Sequence, residues 1–526
     1  MRSMQRLVAV ASALALAVLL FGLARLGVHQ RAGPAHADVV LPGGIPATLY
    51  LPSGGRGPYD QLPAPPPQDE RPPVVVLAHG VAADRAMMST LARRIALAGY
   101  AVLAFDFRGH GENRNPFLST AGRPDALGKD FAAAVDFVRA SPQVNGSRVV
   151  VMGHSMGADA ALDFATRDSG LDGVVALSGG WTLQGPYSPP NALFLWASGD
   201  PPDTRDPARA LAARLAGVDA VQLGRSYGLL ADLRGVRAVE VPGNDHLTIL
   251  WSKVAAAEVV AWLDAIFQVQ RLGTPPQEDP RLLDTAFALA AFLFVLLGVG
   301  LAMGDLAPRS LERPAAAGLA GLTLLAAAIL LAFPAVAADP PLGFLGLEIG
   351  DVVVSQLALA GGALLGLLAL AGRLDTAAWR PRFGHGVAAG LAGFAVVYAL
   401  LAPLGVVGHR LVPSPERLLA SALAGLLVFP FFLGFEIALR RGGALAASGF
   451  GLAGRALVLG LLLLGVSLGV TPFVVVLMLP VLAALFLLFE IAAASLHAAG
   501  GNLVALAVLE AAWFAWATGA TMPMRW

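Results

Sequence analysis

Short apolar runs alternate with longer Ala-rich or polar stretches from residue 38 to 269, and a different pattern takes over beyond Leu282, where almost every position is apolar. In the first region the runs Arg71–His79, Tyr100–Phe105, Val149–Met152, Gly173–Leu177, Ala192–Ser198 and Ala238–Val241 are rich in β-branched and aromatic residues and predict buried strands. Helical stretches are expected at Arg85–Ala98, Ala158–Arg167 and Lys253–Phe267, with a first hairpin from Val39–Val40 and Thr48–Leu51. Strands that alternate with helices predict a mostly parallel sheet with helices on both faces. Ser53–Arg71 reads as a Pro/Gly-rich surface loop, and Val218–Gly235 as a stretch able to form a small lid.

Eight apolar segments follow a polar, Pro-rich linker at Arg271–Pro280: near 284–304, 315–337, 352–371, 385–407, 417–438, 453–470, 472–495 and 502–520. Each is about the twenty residues that a bilayer-spanning helix needs. The break between the sixth and seventh rests only on Val470–Pro472. Leu7–Gly27 adds a ninth span behind Arg2 and Arg6. Ala35-His36-Ala37 resembles a signal cleavage site, but Arg25, His29 and Arg31 separate it from the apolar core, so an uncleaved anchor is expected over a removed signal peptide. The implied division is an anchor at 1–37, an α/β domain at 38–269, a linker at 270–282 and an all-α polytopic transmembrane domain at 283–526.

Composition agrees with that division. The chain of 526 residues is 56% hydrophobic and 14% charged, against about 25% charged in soluble domains. Its net charge is zero, so neither a nucleic acid nor an acidic partner is implied. Cysteine is absent, which excludes disulfides, thiolate metal sites and a cysteine nucleophile.

Chemistry enters at Gly153-His154-Ser155-Met156-Gly157, after the strand Val149–Met152 and before an Ala-rich helical stretch. A serine between strand and helix, with glycines two residues to either side, fits the sharp turn of a nucleophile elbow. Strand Arg71–His79 ends in His79-Gly80-Val81, and Tyr100–Phe105 runs into Asp106-Phe107-Arg108-Gly109-His110-Gly111. On these motifs residues 38–269 resemble the α/β-hydrolase superfamily. The resemblance implies an α/β hydrolase fold, oxyanion-hole amides from Val81 and Met156, and a catalytic acid and histidine following Ser155 in the chain. The acid is expected after strand Ala192–Ser198, where Asp200 is preferred and Asp203 is the alternative. His246, after strand Ala238–Val241, is the expected base; Asp245 is a weaker candidate acid because adjacent side chains rarely point at each other. His79, His154, Trp181 and Tyr187 are expected to wall the pocket, though a packing or loop hydrogen-bond role would equally account for His154.

An imidazole is needed because a serine hydroxyl is a poor nucleophile until a base takes its proton. A carboxylate is needed to hold that imidazole in its productive tautomer. This chemistry calls for no cofactor and no metal. The expected activity is hydrolysis of a small-molecule or lipid ester through an acyl-enzyme, in contact with membrane lipids. Acyl transfer or peptide hydrolysis uses the same machinery. Two further readings are a degenerate hydrolase fold that only binds, and a transporter-like membrane protein with a regulatory hydrolase domain.

Arginine counts set an expected orientation. Arg309, Arg313, Arg373, Arg380, Arg382, Arg440, Arg441 and Arg455 fall on one face of the spans, and Arg410, Arg417 and Arg525 on the other. The Arg-rich face should be cytoplasmic, which puts the hydrolase outside. Within the spans, Glu436 and Glu490 recur in Phe-Glu-Ile-Ala and Glu510 lies in the last segment. Intramembrane carboxylates are costly and suggest function. Glu436 has Arg440 four residues on as an obvious partner, whereas Glu490 and Glu510 have none nearby in sequence.

Overall fold

Alternate residues of each central strand supply two separate apolar cores, one on either face of a single sheet. On one face Val74, Val76, Val149, Val151, Val174 and Phe194 pack with Leu127, Phe131, Val135, Leu162 and Leu211. On the other, Val75, Leu77, Val150, Met152, Val175 and Leu193 pack with Leu91, Ile95, Val259 and Leu263. Both faces being covered explains why these strands are apolar throughout rather than at every second position.

The computed structural model describes residues 2–52, 63–118, 122–180, 183, 188–271, 273, 278–303, 315–338, 343–374, 376, 380–440, 444–498 and 502–525. In the α/β part the elements are β1 (Ala35–Leu41), β2 (Ile45–Leu51), β3 (Pro73–Ala78), α2 (Ser89–Leu97), β4 (Ala101–Phe105), α3 (Arg123–Ala140), β5 (Asn145–His154), α4 (Met156–Ala165), β6 (Gly173–Leu177), β7 (Ala192–Ala197), α5 (Pro202–Ala216), β8 (Ser226–Tyr227), β9 (Val236–Val241) and α6 (Lys253–Phe267), all after the N-terminal helix α1 (Arg2–Arg31). The sheet order is β1-β2-β4-β3-β5-β6-β7-β9-β8. From β4 to β9 neighbouring strands run parallel, and the edges formed by β1, β2 and β8 are antiparallel. Register brings the strand ends level: Ala78 lies beside Gly153, His154 beside Leu177, and Ala197 beside Val241. The turns that follow β3, β5, β7 and β9 therefore open on one end of the sheet, the end where open α/β sheets carry their sites.

Two local expectations change. The helix expected from Arg85 begins only at Ser89, because Asp84 Oδ1 accepts the amides of Ala86 and Met87 and holds those residues in a turn. The stretch expected as a lid instead supplies β8, which pairs with β9 at the sheet edge.

The apolar half folds as α7 (Pro280–Met303), α8 (Ala315–Ala338), α9 (Gly350–Leu370), α10 (Phe383–Leu401), α11 (Pro415–Leu439), α12 (Ala444–Ser467), α13 (Val474–Ala498) and α14 (Leu503–Thr521). Among the described residues nine helices, α1 included, are long and apolar enough to cross a membrane. The break expected at Val470–Pro472 is present as the gap between Ser467 and Val474. Close helix contacts use glycine: a Cβ on Gly361 would meet the Phe431 backbone, and one on Gly321 the Ala438 carbonyl.

The chain divides into two units. One holds Met1–Arg25, Asp284–Leu404 and Leu411–Ala520; the other holds Leu26–Leu283, Gly405–Arg410 and Thr521–Trp526.

Candidate active site

Ser155 occupies the single residue between β5 and α4 with φ 53° and ψ −120°, a conformation that costs a side-chain-bearing residue of order 1–3 kcal/mol. Its amide donates to the Leu177 carbonyl at 2.8 Å, so the neighbouring strand holds the turn. The flanking glycines are needed for space: a Cβ on Gly153 would lie 2.0 Å from the Gly157 carbonyl oxygen, and one on Gly157 would lie 2.5 Å from that of His79. Met156 opens α4, where the first amides have no intrahelical partner and the helix dipole is positive. Gly80 packs against the serine from the other side; a Cβ there would be 3.1 Å from Ser155 Cβ.

His246 reaches Ser155 from the turn after β9. Its Nε2 lies 3.0 Å from Ser155 Oγ, and its Nδ1 lies 2.6 Å from Asp200 Oδ1. All three residues are buried. Asp200 Oδ2 accepts from Ser178 Oγ at 2.6 Å and from the Ala197 amide at 2.8 Å. Burial alone would push the Asp200 carboxyl up; the hydrogen bonds from His246, Ser178 and Ala197 outweigh it and hold the carboxyl below its ordinary range. An ionised carboxylate, an imidazole and a hydroxyl thus lie in line, with the hydroxyl beside a helix N-terminus.

Residues 69–203 match the family model described as serine aminopeptidase, S33. The nucleophile elbow, the aligned strand ends and the doubly covered parallel sheet lie in and around that segment. This part of the chain is an α/β hydrolase. An uncharacterized protein of Mycobacterium tuberculosis is 31% identical over 159 residues, which is 27% of this chain and 49% of that protein. The bis(hydroxyethyl) terephthalate hydrolase of Streptomyces coelicolor is 30% identical over 113 residues, 21% of this chain and 33% of its own. The chain thus spans about half the length or less of these curated relatives. Among solved structures, the esterase of Pyrobaculum calidifontis aligns over 51% of this chain and 99% of its own, at 17% identity and a TM-score of 0.33.

Of the candidate acids in the hydrolase domain, Asp200 lies against His246, and Asp203 is exposed in the first turn of α5. Asp245 turns back to accept from the amides of Leu247 and Thr248 and from the Thr248 hydroxyl. Ser178 was not singled out from sequence; the signal available was Ser-Gly-Gly directly after an apolar strand. Val81 and Met156 are both half-buried beside the serine turn.

His79 has no exposed surface. Its Nδ1–H donates to the Gly80 carbonyl at 2.7 Å and its Nε2 accepts the Phe107 amide at 3.0 Å, which ties the turn after β3 to the turn after β4. Burial lowers its pKa, consistent with the neutral tautomer those bonds require. His154 is also buried, with Nε2 donating to the His246 carbonyl. Both rings are buried and each holds the backbone of a turn at the site. Trp181 and Tyr187 lie outside the described residues.

In the apolar half, Glu490 and Glu510 do have arginine partners, contrary to the expectation from sequence. Arg440 binds Glu436 at 2.7 Å and Glu490 at 2.5 Å; Arg455, on α12, binds Glu490 at 3.1 Å and Glu510 at 2.5 Å. All five side chains are buried. The partners come from different helices, which local spacing along the chain does not reveal. Arg417 is buried too, donating to the Gly519 carbonyl. Arg440, Arg455 and Arg417 are therefore not free loop charges. Without them the arginine imbalance is six against two.

Proposed function

We propose that this protein is a membrane-tethered serine hydrolase that cleaves carboxylic esters through an acyl-enzyme. The observation that carries the reading is the relay from Ser155 Oγ to His246 Nε2 at 3.0 Å and from His246 Nδ1 to Asp200 at 2.6 Å. In this mechanism Ser155 Oγ attacks the ester carbonyl carbon as His246 Nε2 takes its proton. The carbonyl oxygen, now negative, is received by the amides of Val81 and Met156, each contributing about 3 kcal/mol to the transition state. The tetrahedral intermediate collapses with cleavage of the ester C–O bond, and His246 returns the proton to the departing alcohol. Water then attacks the acyl-enzyme by the same steps in reverse roles. Asp200 keeps the proton on Nδ1 and stabilises the imidazolium, without taking the proton itself.

Peptide hydrolysis is the second reading, favoured by the description of the matching family model; the terephthalate hydrolase among the relatives favours esters. The hydrolase domain is proposed to lie outside the cytoplasmic membrane. With nine spans in alternation, the segment after α10 and the C-terminal tail fall on the hydrolase's side. Gly405–Arg410 and Thr521–Trp526 cluster with the hydrolase unit, which supports that parity.

A fluorophosphonate probe on the full chain, with competition by water-soluble esters, long-chain esters and N-terminal peptide amides, tests the reading. Labelling of Ser155 suppressed by esters is expected. No labelling of Ser155 would reject serine catalysis, and suppression by the peptide amides alone would move the assignment to a peptidase.

A further inference from the structure

The hydrolase unit includes a short segment from the apolar half, Gly405–Arg410, which joins α10 to α11. That segment ends on Asp84, a fully buried carboxylate three residues beyond Val81. Asp84 Oδ1 accepts the amides of Ala86 at 3.0 Å and Met87 at 3.2 Å and closes a turn of its own loop. Its Oδ2 accepts the Arg410 amide at 2.7 Å and faces His409 Nδ1 at 3.1 Å. Two more contacts fasten the segment: Ser89 Oγ donates to the Val406 carbonyl at 3.1 Å, and the Arg410 guanidinium lies 2.8 Å from Glu112.

The loop so held is the one that carries Val81. It leaves β3 with Gly80 packed against Ser155, passes through Ala82 at φ 56°, and turns at Asp84 into α2. A non-glycine residue at that φ persists only when its surroundings fix it. The Arg85 amide and guanidinium bind Asp106, which fixes the loop's far end. Among the described residues, however, Asp84 Oδ2 is met only by residues 409 and 410. A buried carboxylate oxygen without donors is costly, so the contacts from the segment stabilise the loop in this course.

We propose that Gly405–Arg410 is a positioning element for catalysis. Through the Arg410 amide and His409 on Asp84, it holds the loop in the shape that presents the Val81 amide to the oxyanion at Ser155. The residues of the apolar half are then part of the active site's support and not only its anchor. This proposal rests on the serine-hydrolase reading given above.

The test uses full-length protein in detergent micelles, with active sites titrated by a fluorophosphonate. Asp84→Asn keeps one oxygen for the Ala86 and Met87 amides and turns an NH2 toward the Arg410 amide and the His409 ring. His409→Ala removes the imidazole that faces Asp84 Oδ2 and leaves the Asp84 turn intact. Against a p-nitrophenyl ester, kcat per titrated site should fall about tenfold in Asp84→Asn and several-fold in His409→Ala. KM should stay within twofold, because oxyanion contacts strengthen only in the transition state. Backbone amides of residues 80–87 should exchange with deuterium faster in both variants. A role confined to stability would reduce the number of titrated sites without changing kcat per site. Parental kcat per site in both variants overturns the proposal while leaving the hydrolase reading intact. A parent protein inert to both probe and ester overturns the two together.

Discussion

The Nε2–H of His154 donates to the backbone carbonyl of His246 at 2.7 Å, and the two rings lie 4.9 Å apart. His154 thereby fixes the backbone of the residue whose side chain faces Ser155. Its other nitrogen, Nδ1, is buried and has no hydrogen-bond partner among the described residues, which is tolerable only for a neutral ring. Burial lowers its pKa from 6.5 to about 3. A depressed histidine pKa contributes stability that is present above pH 6.5 and is lost as pH falls from there toward 3, because only the unfolded chain takes up the proton. The slope for one proton is about 1.4 kcal/mol per pH unit. The unfolding midpoint of the hydrolase domain in the full chain should therefore drop between about pH 6.5 and 5, and drop less in His154→Gln. Equal slopes in the two proteins would show that this ring is not the linked group.

Ser155→Ala and His246→Ala should each lower kcat for ester hydrolysis by about 10³-fold or more, since members of such a relay act as a unit. The unfolding midpoint should stay close to the parent's, because the side chains removed carry little of either apolar core. Either variant keeping more than a tenth of the parent's kcat would sink the assignment.

Asp200→Asn should cost far more than Asp203→Asn. The first removes the acceptor that keeps the proton on His246 Nδ1, with a loss of about 10⁴-fold in comparable relays. The second changes an exposed residue of α5 and should leave activity within about twofold. Ser178→Ala removes one donor to Asp200 and should cost about 1 kcal/mol, roughly fivefold in kcat. Steady-state kinetics on the three variants rank them; an Asp203 effect larger than that of Asp200 would move the acid to Asp203.

A chain without cysteine gives a clean background for labelling. Asp219→Cys, exposed in the hydrolase unit, should react with a membrane-impermeant maleimide on intact cells. Arg380→Cys, exposed ahead of α10, should react only after permeabilisation. The opposite pattern would invert the proposed topology and bring cytoplasmic esters within reach.

Removing Arg455 strands buried Glu510 and leaves buried Glu490 to Arg440 alone. Breaking a buried pair from one side costs about 3–5 kcal/mol. Arg455→Met should lower the unfolding midpoint of the apolar half much more than Glu510→Gln, which removes the partner and its charge demand together. Equal shifts in a thermal scan would mean that the arginine holds neither glutamate.

What the sequence determined by itself was local. Strand runs such as Val149–Met152 declare themselves because both faces of the central strands are buried, and α6 closes at the residues its pattern predicts because its apolar positions repeat along one short stretch. The serine turn is legible for the same reason: strand, Gly-x-Ser-x-Gly and helix are contiguous. Tertiary structure decided whatever depends on which chain ends meet. Position after the strand prefers Asp200 but leaves Asp203 open, and the β7–β9 register, with Ala197 beside Val241, is what sets Asp200 against His246. Ser178 acquires its role from the loop after the neighbouring strand β7, His154 from the turn after β9, and Arg455 reaches Glu510 across helices far apart in sequence. A hydrogen bond or ion pair between elements has no periodicity along the chain, so no pattern of residues announces it before the chain has folded.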